Sequence, residues 1–316
     1  MLSKTNSRMY SWLDWNMDLL QLRYFQAVAR HEHVSRAAGE LRVAQPALSR
    51  SIARLETELG VPLFERRGRR VALNRFGAAF LTRVSRALSE LDQGRQELAD
   101  AAGLAQGSVA LAAETLRTVT DLTASFLASH PGVSFRLYQS PAPVMSAQLH
   151  AGQVDLCLAS QPLPGAAVEA RDLLTEEVLL GVPRSHRLAR HRRIGVAELA
   201  GEAFVTTRAG YWQRALTDQL FAGLGRAPAI ACEGDEPYAI RGLISAGVGV
   251  GLLPAMARRS PRPPIGWLHL DTGYLNTQAC QRTLSIAWRR DAYLSTAARQ
   301  FRDFAVSHFA RQPARD

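Results

Sequence analysis

Between Gln45 and Arg54 the chain offers an amide, a hydroxyl and two guanidinium groups on one side of a helical repeat, carried by Gln45, Ser49, Arg50 and Arg54, with Pro46 and Ala47 beside them. Amides and guanidiniums pair with base edges in the major groove, and hydroxyls and guanidiniums hold phosphates. The other side, Leu48, Ile52, Leu55 and Leu59, is a single apolar stripe with helical spacing. One side is thereby fixed into a core while the other stays open to a polyanion. A second basic group follows, with Arg66, Arg67, Arg69 and Arg70 flanking Gly68. Guanidiniums crowded around one turn are costly unless an anion or water takes the charge, and a phosphate backbone beside the helix is the natural anion. The plainer alternatives are an ordinary helix pair and a solvated turn.

These groups need a frame. Residues 34–53 read as a helix, a tight turn and a second helix. Ser35 is placed to accept from the free N–H groups at the first helix's start, and Val43 closes the turn. The second helix starts near Gln45, where Pro46 is tolerated because first-turn N–H groups have no intrahelical partner. Gly60 stops it and Pro62 forbids its restart. Residues 18–30 place Leu22, Phe25, Val28 and Ala29 on one face of a helix that closes the core. LFERRGRRVALN, after Pro62, predicts a short hairpin with a basic tip, a wing. Asn74 caps a helix over about 75–102, some 40 Å long. Its stripe of Phe80, Leu81, Val84, Leu88, Leu91 and Leu98 needs a partner, which a second copy of the chain supplies most simply. Gly103 and Gly107 mark a hinge.

From Gly107 strands and helices alternate, the pattern of a parallel sheet. Strands are expected at 109–113, 133–140, 154–160, 202–208, 229–235 and 248–254, and helices at 115–130, 143–151, 211–224 and 237–247. A long strand over 173–183 crosses into a second unit, later strands lie at 267–270 and 284–290, and a helix over 295–311 ends the chain. Two lobes follow, about 107–178 plus 283–316 and about 179–282. A cleft at the carboxyl ends of their strands suits a small polar or anionic ligand. Its expected lining is Ala113, Glu114, Thr115, Gln139, Ser140, Thr206, Thr207, Tyr211, Asp235 and Gly247. The plainer reading of Glu114 is a first-turn carboxylate on the helix dipole. The alternative is a ligand contact neutralised by Arg117, in which case an amine or amino acid fits as well as an acid.

At 316 residues the chain has room for two or more domains. A net charge of +10 and a pI near 10.3 favour a polyanionic partner. Lys4 is the sole lysine, a bias that a GC-rich genome would also produce. Cys157, Cys232 and Cys280 are scattered and odd in number, which suggests neither a disulfide framework nor a zinc site, but reduced thiols in a cytoplasmic protein. No metal or cofactor is implied. No apolar run approaches a membrane span. The first sixteen residues read as a disordered extension rather than a signal peptide, with Met17 an alternative start. An enzyme is disfavoured. GVGVG (247–251) lacks the lysine of a phosphate loop and reads as part of a strand, no hydrolase or zinc-protease motif occurs, and His31, His33, His186 and His191 lack metal-ligand spacing. A solute receptor lacks its export signal, and an architectural DNA-binding protein needs no cleft.

The phrases LLQLRYFQAVA (19–29), SRAAGELRVAQPALSRSIARLETELGVPLFER (35–66) and GRRVALNRFG (68–77) resemble the LysR-type transcriptional regulators. HPGV (130–133), LHAGQVDLCLA (149–159), EEVLLGVPRSHRLA (176–189) and GLISAGVGVGLLP (242–254) follow in that family's order. The resemblance implies an α/β fold with an N-terminal all-α winged helix-turn-helix over 17–75, its helix-turn-helix at 34–53. A linker and dimerisation helix over 76–106 would follow, then a two-lobed effector domain over 107–316 similar to type 2 periplasmic solute-binding proteins. Gln45, Pro46, Ser49 and Arg50 match the recognition positions, with Ser35 and Arg36 before them. The implied partners are double-stranded DNA, a small-molecule effector and further copies of the chain as a homodimer or dimer of dimers, with RNA polymerase a further candidate. Effector binding would change the angle between DNA-binding arms. Two departures stand out. Ala44 replaces the usual serine and forfeits a cap worth roughly 1 kcal/mol, and Asn74-Arg75-Phe76-Gly77 stands where Thr-Glu-Ala-Gly is common.

Overall fold

The computed structural model describes residues 17–68, 70–103, 107–259, 264–271 and 280–311. The expected extension over 1–16, the Arg69 residue and the Arg67 side chain lie outside the described residues. The chain divides into two bodies, Met1–Arg95 and Gln96–Asp316.

The first body contains α1 (Leu19–His31), α2 (Val34–Leu41), α3 (Gln45–Leu59), the hairpin β1 (Phe64–Arg67) and β2 (Arg70–Leu73), and most of α4 (Arg75–Ala101). Asp18 and Gln21 cap α1 reciprocally, each side chain taking the other's backbone N–H. The expected stripe of α3 is inside: Leu48, Ile52 and Leu55 are buried with Phe25, Leu63, Val84 and Leu88. The Phe25 ring lies 5.4 Å from those of Phe64 and Phe80, which ties α1 to the wing and to α4. Pro46 sits in the first turn of α3, Gly60 ends the helix at φ 72°, and Ala44 offers no side-chain cap. The start of α2 differs from expectation. His33 holds the extended cap position at φ −155° and no side chain caps the helix, because Ser35 is already its second residue. Asn74 does cap α4, its Oδ1 accepting from the N–H groups of Phe76 and Gly77 at 2.9 Å. Gly77 is needed there, because a Cβ would stand 2.1 Å from the Leu63 carbonyl oxygen.

The second body is a two-lobed α/β unit. Lobe I holds β3 (Ser108–Ala113), α5 (Leu116–Ser129), β4 (Ser134–Gln139), α6 (Ala142–His150), β5 (Leu156–Ala159) and α9 (Thr296–Ala310), with β3 parallel to β4 and β5. Lobe II holds β7 (Arg193–Gly195), β8 (Ala203–Thr207), α7 (Trp212–Ala222), β9 (Ala229–Gly234), α8 (Ala239–Ser245), β10 (Gly251–Pro254) and β11 (Gly266–Asp271), with β8 parallel to β9. The strand β6 (Val168–Val182) runs through both. Up to Glu177 it pairs with β12 (Gln281–Arg289), and from Val178 with β10. Each lobe has its own core, one around Phe126, Ile286 and Phe301, the other around Val178, Phe204 and Phe221. The GVGVG stretch is mostly not strand, since Gly247 lies in the turn after α8 and β10 begins at Gly251. Among the described residues no helix is long and apolar enough to cross a membrane.

Candidate nucleic-acid interface and effector cleft

The polar side of α3 carries Gln45, Pro46, Ala47, Arg50 and Arg54 exposed and Ser49 half-buried. The Gln45 Nε2 donates to Ser49 Oγ at 3.0 Å, which fixes the direction in which the amide is presented. Ser35 and Arg36 are exposed on α2, and Arg66 and Arg70 on the hairpin. Arg36, Arg50, Arg54, Arg66 and Arg70 make no ion pair among the described residues. Elsewhere in the same body Arg23 pairs with Asp92 at 3.1 Å and Arg30 with Glu40 at 3.0 Å. Arginines without an ion pair among the described residues thus lie on α2, α3 and the hairpin, and also on α4 at Arg83, Arg86 and Arg95.

Two anchors hold that surface together. Glu56 Oε1, on α3, accepts from the backbone N–H groups of Leu63 at 2.7 Å and Phe64 at 3.1 Å. The Val71 N–H donates to the Glu32 carbonyl at 3.0 Å, joining β2 to the end of α1. The hairpin pairs Arg67 with Arg70 around Gly68, whose φ of 65° the turn requires. Arg66 and Arg70 therefore keep a fixed relation to Arg50.

In the second body most of the expected cleft residues lie at strand carboxyl ends. Ala113 and Glu114 close β3, Gln139 and Ser140 close β4, and Thr206 and Thr207 close β8. Thr115 occupies the cap position of α5 and Tyr211 that of α7. Three hydrogen bonds join the lobes here: Ala142 N–H and Gln161 Nε2 donate to the Gly210 carbonyl at 3.1 and 3.2 Å, and Gln139 Nε2 donates to the Asp235 carbonyl at 3.1 Å. Asp235 is exposed and its carboxylate pairs with Arg208. Gly247 does not join this group. Val250 runs parallel to Phe204, and a Cβ on Gly249 would meet the Ala203 carbonyl, so Gly247 lies beyond the amino edge of β8.

Glu114 is 4% exposed. Its Oε2 accepts from the Ser160 N–H at 3.1 Å, and burial raises its carboxyl above the usual range despite Ser160 and the charge of Arg282. Arg117 is not the neutralising cation, because its guanidinium lies 4.9 Å over the Tyr238 ring. Arg282, on β12, takes that place. It is buried, sits 5.3 Å over the Trp212 ring and approaches Glu176 Oε1 at 3.4 Å. Burial lowers its pKa against the pull of Glu176 and Glu114, and burial raises that of Glu176. Arg282, Glu176, Ser160, Gln161 and Gln213 are cleft residues that the sequence reading misses. Three of them had a local signal: Gln213 shares the start of α7 with Tyr211, and Ser160 and Gln161 stand at the carboxyl end of β5. Among the described residues no cluster fit to hold a metal ion occurs.

Residues 19–78 match the family described as bacterial regulatory helix-turn-helix protein, lysR family, and residues 102–310 match the LysR substrate binding domain. The chain is 38% identical over 301 residues to the uncharacterized HTH-type transcriptional regulator YybE of Bacillus subtilis (strain 168), covering 93% of this chain and 100% of that protein. It is 33% identical to the transcriptional dual regulator GltC of the same organism, covering 93% and 98% of the two chains. Among solved structures it is similar in fold to CbnR, a LysR family transcriptional regulator, with TM-score 0.67, 23% identity and coverage of 94% and 100%. CbnR complexed with its target DNA gives TM-score 0.64 at 24% identity, covering 93% and 99%.

Proposed function

The chain belongs to the LysR family of transcriptional regulators, and from that premise we propose how its residues divide the work. It is a DNA-binding transcriptional regulator that carries an effector-binding domain. In our reading α3 enters the major groove, with Gln45, Pro46, Ala47, Ser49 and Arg50 against base edges. Ser35, Arg36 and Arg54, with Arg66, Arg67, Arg69 and Arg70 of the wing, take phosphates. The observation that carries this is the set of unpaired arginines on α2, α3 and the hairpin, held in register by Glu56. That CbnR has been solved with its target DNA supports the same use of a like fold.

The cleft between the lobes takes a small-molecule effector. Glu114, Ser140, Thr206, Thr207 and Tyr211 are the residues we assign to it, with Gln139 and Asp235 closing the lobes over it. The chemistry is binding and release, without a covalent step, and its setting is the cytoplasm. Leu91 and Leu98 of α4 are 50% and 72% exposed, an apolar stripe that a second copy of the chain would cover. Closing the lobes then alters how two DNA-binding bodies are presented. Titrating the protein with DNA from upstream of its own gene tests the reading. Selective, salt-sensitive binding is expected, and equal affinity for scrambled DNA would refute it.

A further inference from the structure

We propose that the effector carries a protonated amine, seated on the free oxygen of Glu114. This rests on the reading of the cleft between the lobes as the effector site.

The charge balance of the cleft is the first support. One buried guanidinium, Arg282, faces two buried carboxylates, Glu114 and Glu176. Arg282 lies against Glu176 and Trp212, and Arg117 is drawn off to Tyr238. An ionised Glu114 adds one negative equivalent that Arg282, shared with Glu176, does not balance. A ligand carboxylate placed there meets like charge in a site shielded from water, which is costly.

The second support is the set of buried polar atoms that have no hydrogen-bond partner among the described residues. In the cleft, Glu176 Oε1 and Arg282 Nε are two such atoms and face each other at 3.4 Å; the others are Glu114 Oε1, Ser160 Oγ, Thr206 Oγ1, Thr207 Oγ1 and Gln213 Oε1. These others all belong to the carboxyl ends of β3, β5 and β8 or to the first turn of α7. Each of them can accept a hydrogen bond, and two of them, the Glu114 and Gln213 oxygens, can only accept while Glu114 is ionised. Buried polar atoms normally find partners, so the set points to a ligand rich in donors. An ammonium group has three donors and no acceptor. Glu114 of lobe I also lies within electrostatic reach of Tyr211 of lobe II, so an ammonium on Glu114 is held where the lobes meet.

The proton balance gives a distinctive readout. In the empty cleft, burial raises the Glu114 carboxyl above its usual range, against hydrogen bonds from Ser160 and Gln161 and the charge of Arg282. An arriving ammonium favours the carboxylate. Binding therefore shifts the carboxyl towards its ionised form: in the protonated fraction the O–H bond breaks, the ion pair forms and the proton passes to the buffer.

Calorimetry on the full-length protein tests this with three matched series: straight-chain amines and α,ω-diamines of two to six carbons, the corresponding amino acids, and the corresponding mono- and dicarboxylates. Members of the amine series should bind more tightly than their carboxylate counterparts. Their apparent heat should vary with the ionisation enthalpy of the buffer, which reports proton release. Glu114→Gln should weaken the amines about tenfold or more and abolish the proton release. Amino acids that bind as well as amines would place a second, anionic group beside the ammonium and leave the proposal standing. Carboxylates binding in preference to amines, no amine binding at all, or amine binding unchanged in Glu114→Gln would overturn it. Thr207→Val separates the two levels. If carboxylates bind and Thr207→Val weakens them, the cleft reading holds and the amine proposal fails. If ligands bind and neither variant affects them, the cleft reading itself fails.

Discussion

The Tyr293 hydroxyl donates a 2.8 Å hydrogen bond to the Asp100 carboxylate, and the same oxygen, Oδ2, accepts from the Thr296 N–H at 2.8 Å. Asp100 lies in the last turn of α4, and Thr296 is the first residue of α9. The end of the long helix is thereby pinned to lobe I, and the division between the two bodies falls before Gln96. This carboxylate is a direct link between lobe I and the end of α4.

Removing that link should show in stability and in its pH dependence. Burial pushes the Asp100 carboxyl up, but hydrogen bonds from Thr296, Tyr293 and Gln96 outweigh it and hold the carboxyl below its usual range. A depressed folded-state value adds stability that is present above the unfolded pKa, about 4, and fades as pH falls through the folded one. Asp100→Asn should cost about 1 kcal/mol at pH 7 in urea unfolding, and the gap from wild type should hold down to about pH 4 and narrow as pH falls further, through the folded value. A gap that stays constant with pH would assign the loss to packing.

The two groups of arginines should separate in binding assays. Arg50→Ala should weaken specific binding by about 1–3 kcal/mol and non-specific binding less. Replacing Arg66 and Arg70 together by alanine should weaken both and reduce the slope of log affinity against log salt by about 2. Filter binding across a salt series reads both effects, and the reverse pattern would exchange the roles.

Gly77→Ala puts a methyl group against the Leu63 carbonyl oxygen, with 2.1 Å available. The junction of α4 and β1 must then shift, at a cost of about 1–3 kcal/mol. A lowered urea midpoint for the full chain is the expected result, and an unchanged one would show that the contact yields easily.

The apolar stripe of α4 should carry self-association. Leu91→Ser together with Leu98→Ser should shift the protein towards monomer in sedimentation equilibrium while its circular dichroism stays native. An unchanged assembly would move the interface elsewhere.

Much of the frame was legible because it repeats. Leu48, Ile52 and Leu55 show the helical period, the wing strands flank Gly68, and Asn74 precedes a long apolar stripe. The errors have local causes. Ser35 resembles a cap, but the last extended residue is His33, and a cap is set by backbone angles rather than by residue type. The valines of GVGVG suggest a strand, yet the helix before it runs out into a turn that places Gly247 at the wrong edge of β8. Arg282 was not legible at all as the partner of Glu114 and Glu176, since it reaches the cleft from β12, a strand remote in sequence. Pairings of that kind are made by the crossing of β6 and β12, which no local pattern encodes.

The central claim is that the exposed side of α3, with the wing beside it, reads duplex DNA. Footprinting of the wild-type protein and Arg50→Ala on DNA from upstream of its own gene, at low and moderate salt, tests it most directly. The account predicts a discrete protected region for wild type, weakened by salt and lost or blurred in the variant. Absence of any protected region at low salt, or identical protection by the two proteins, would contradict it.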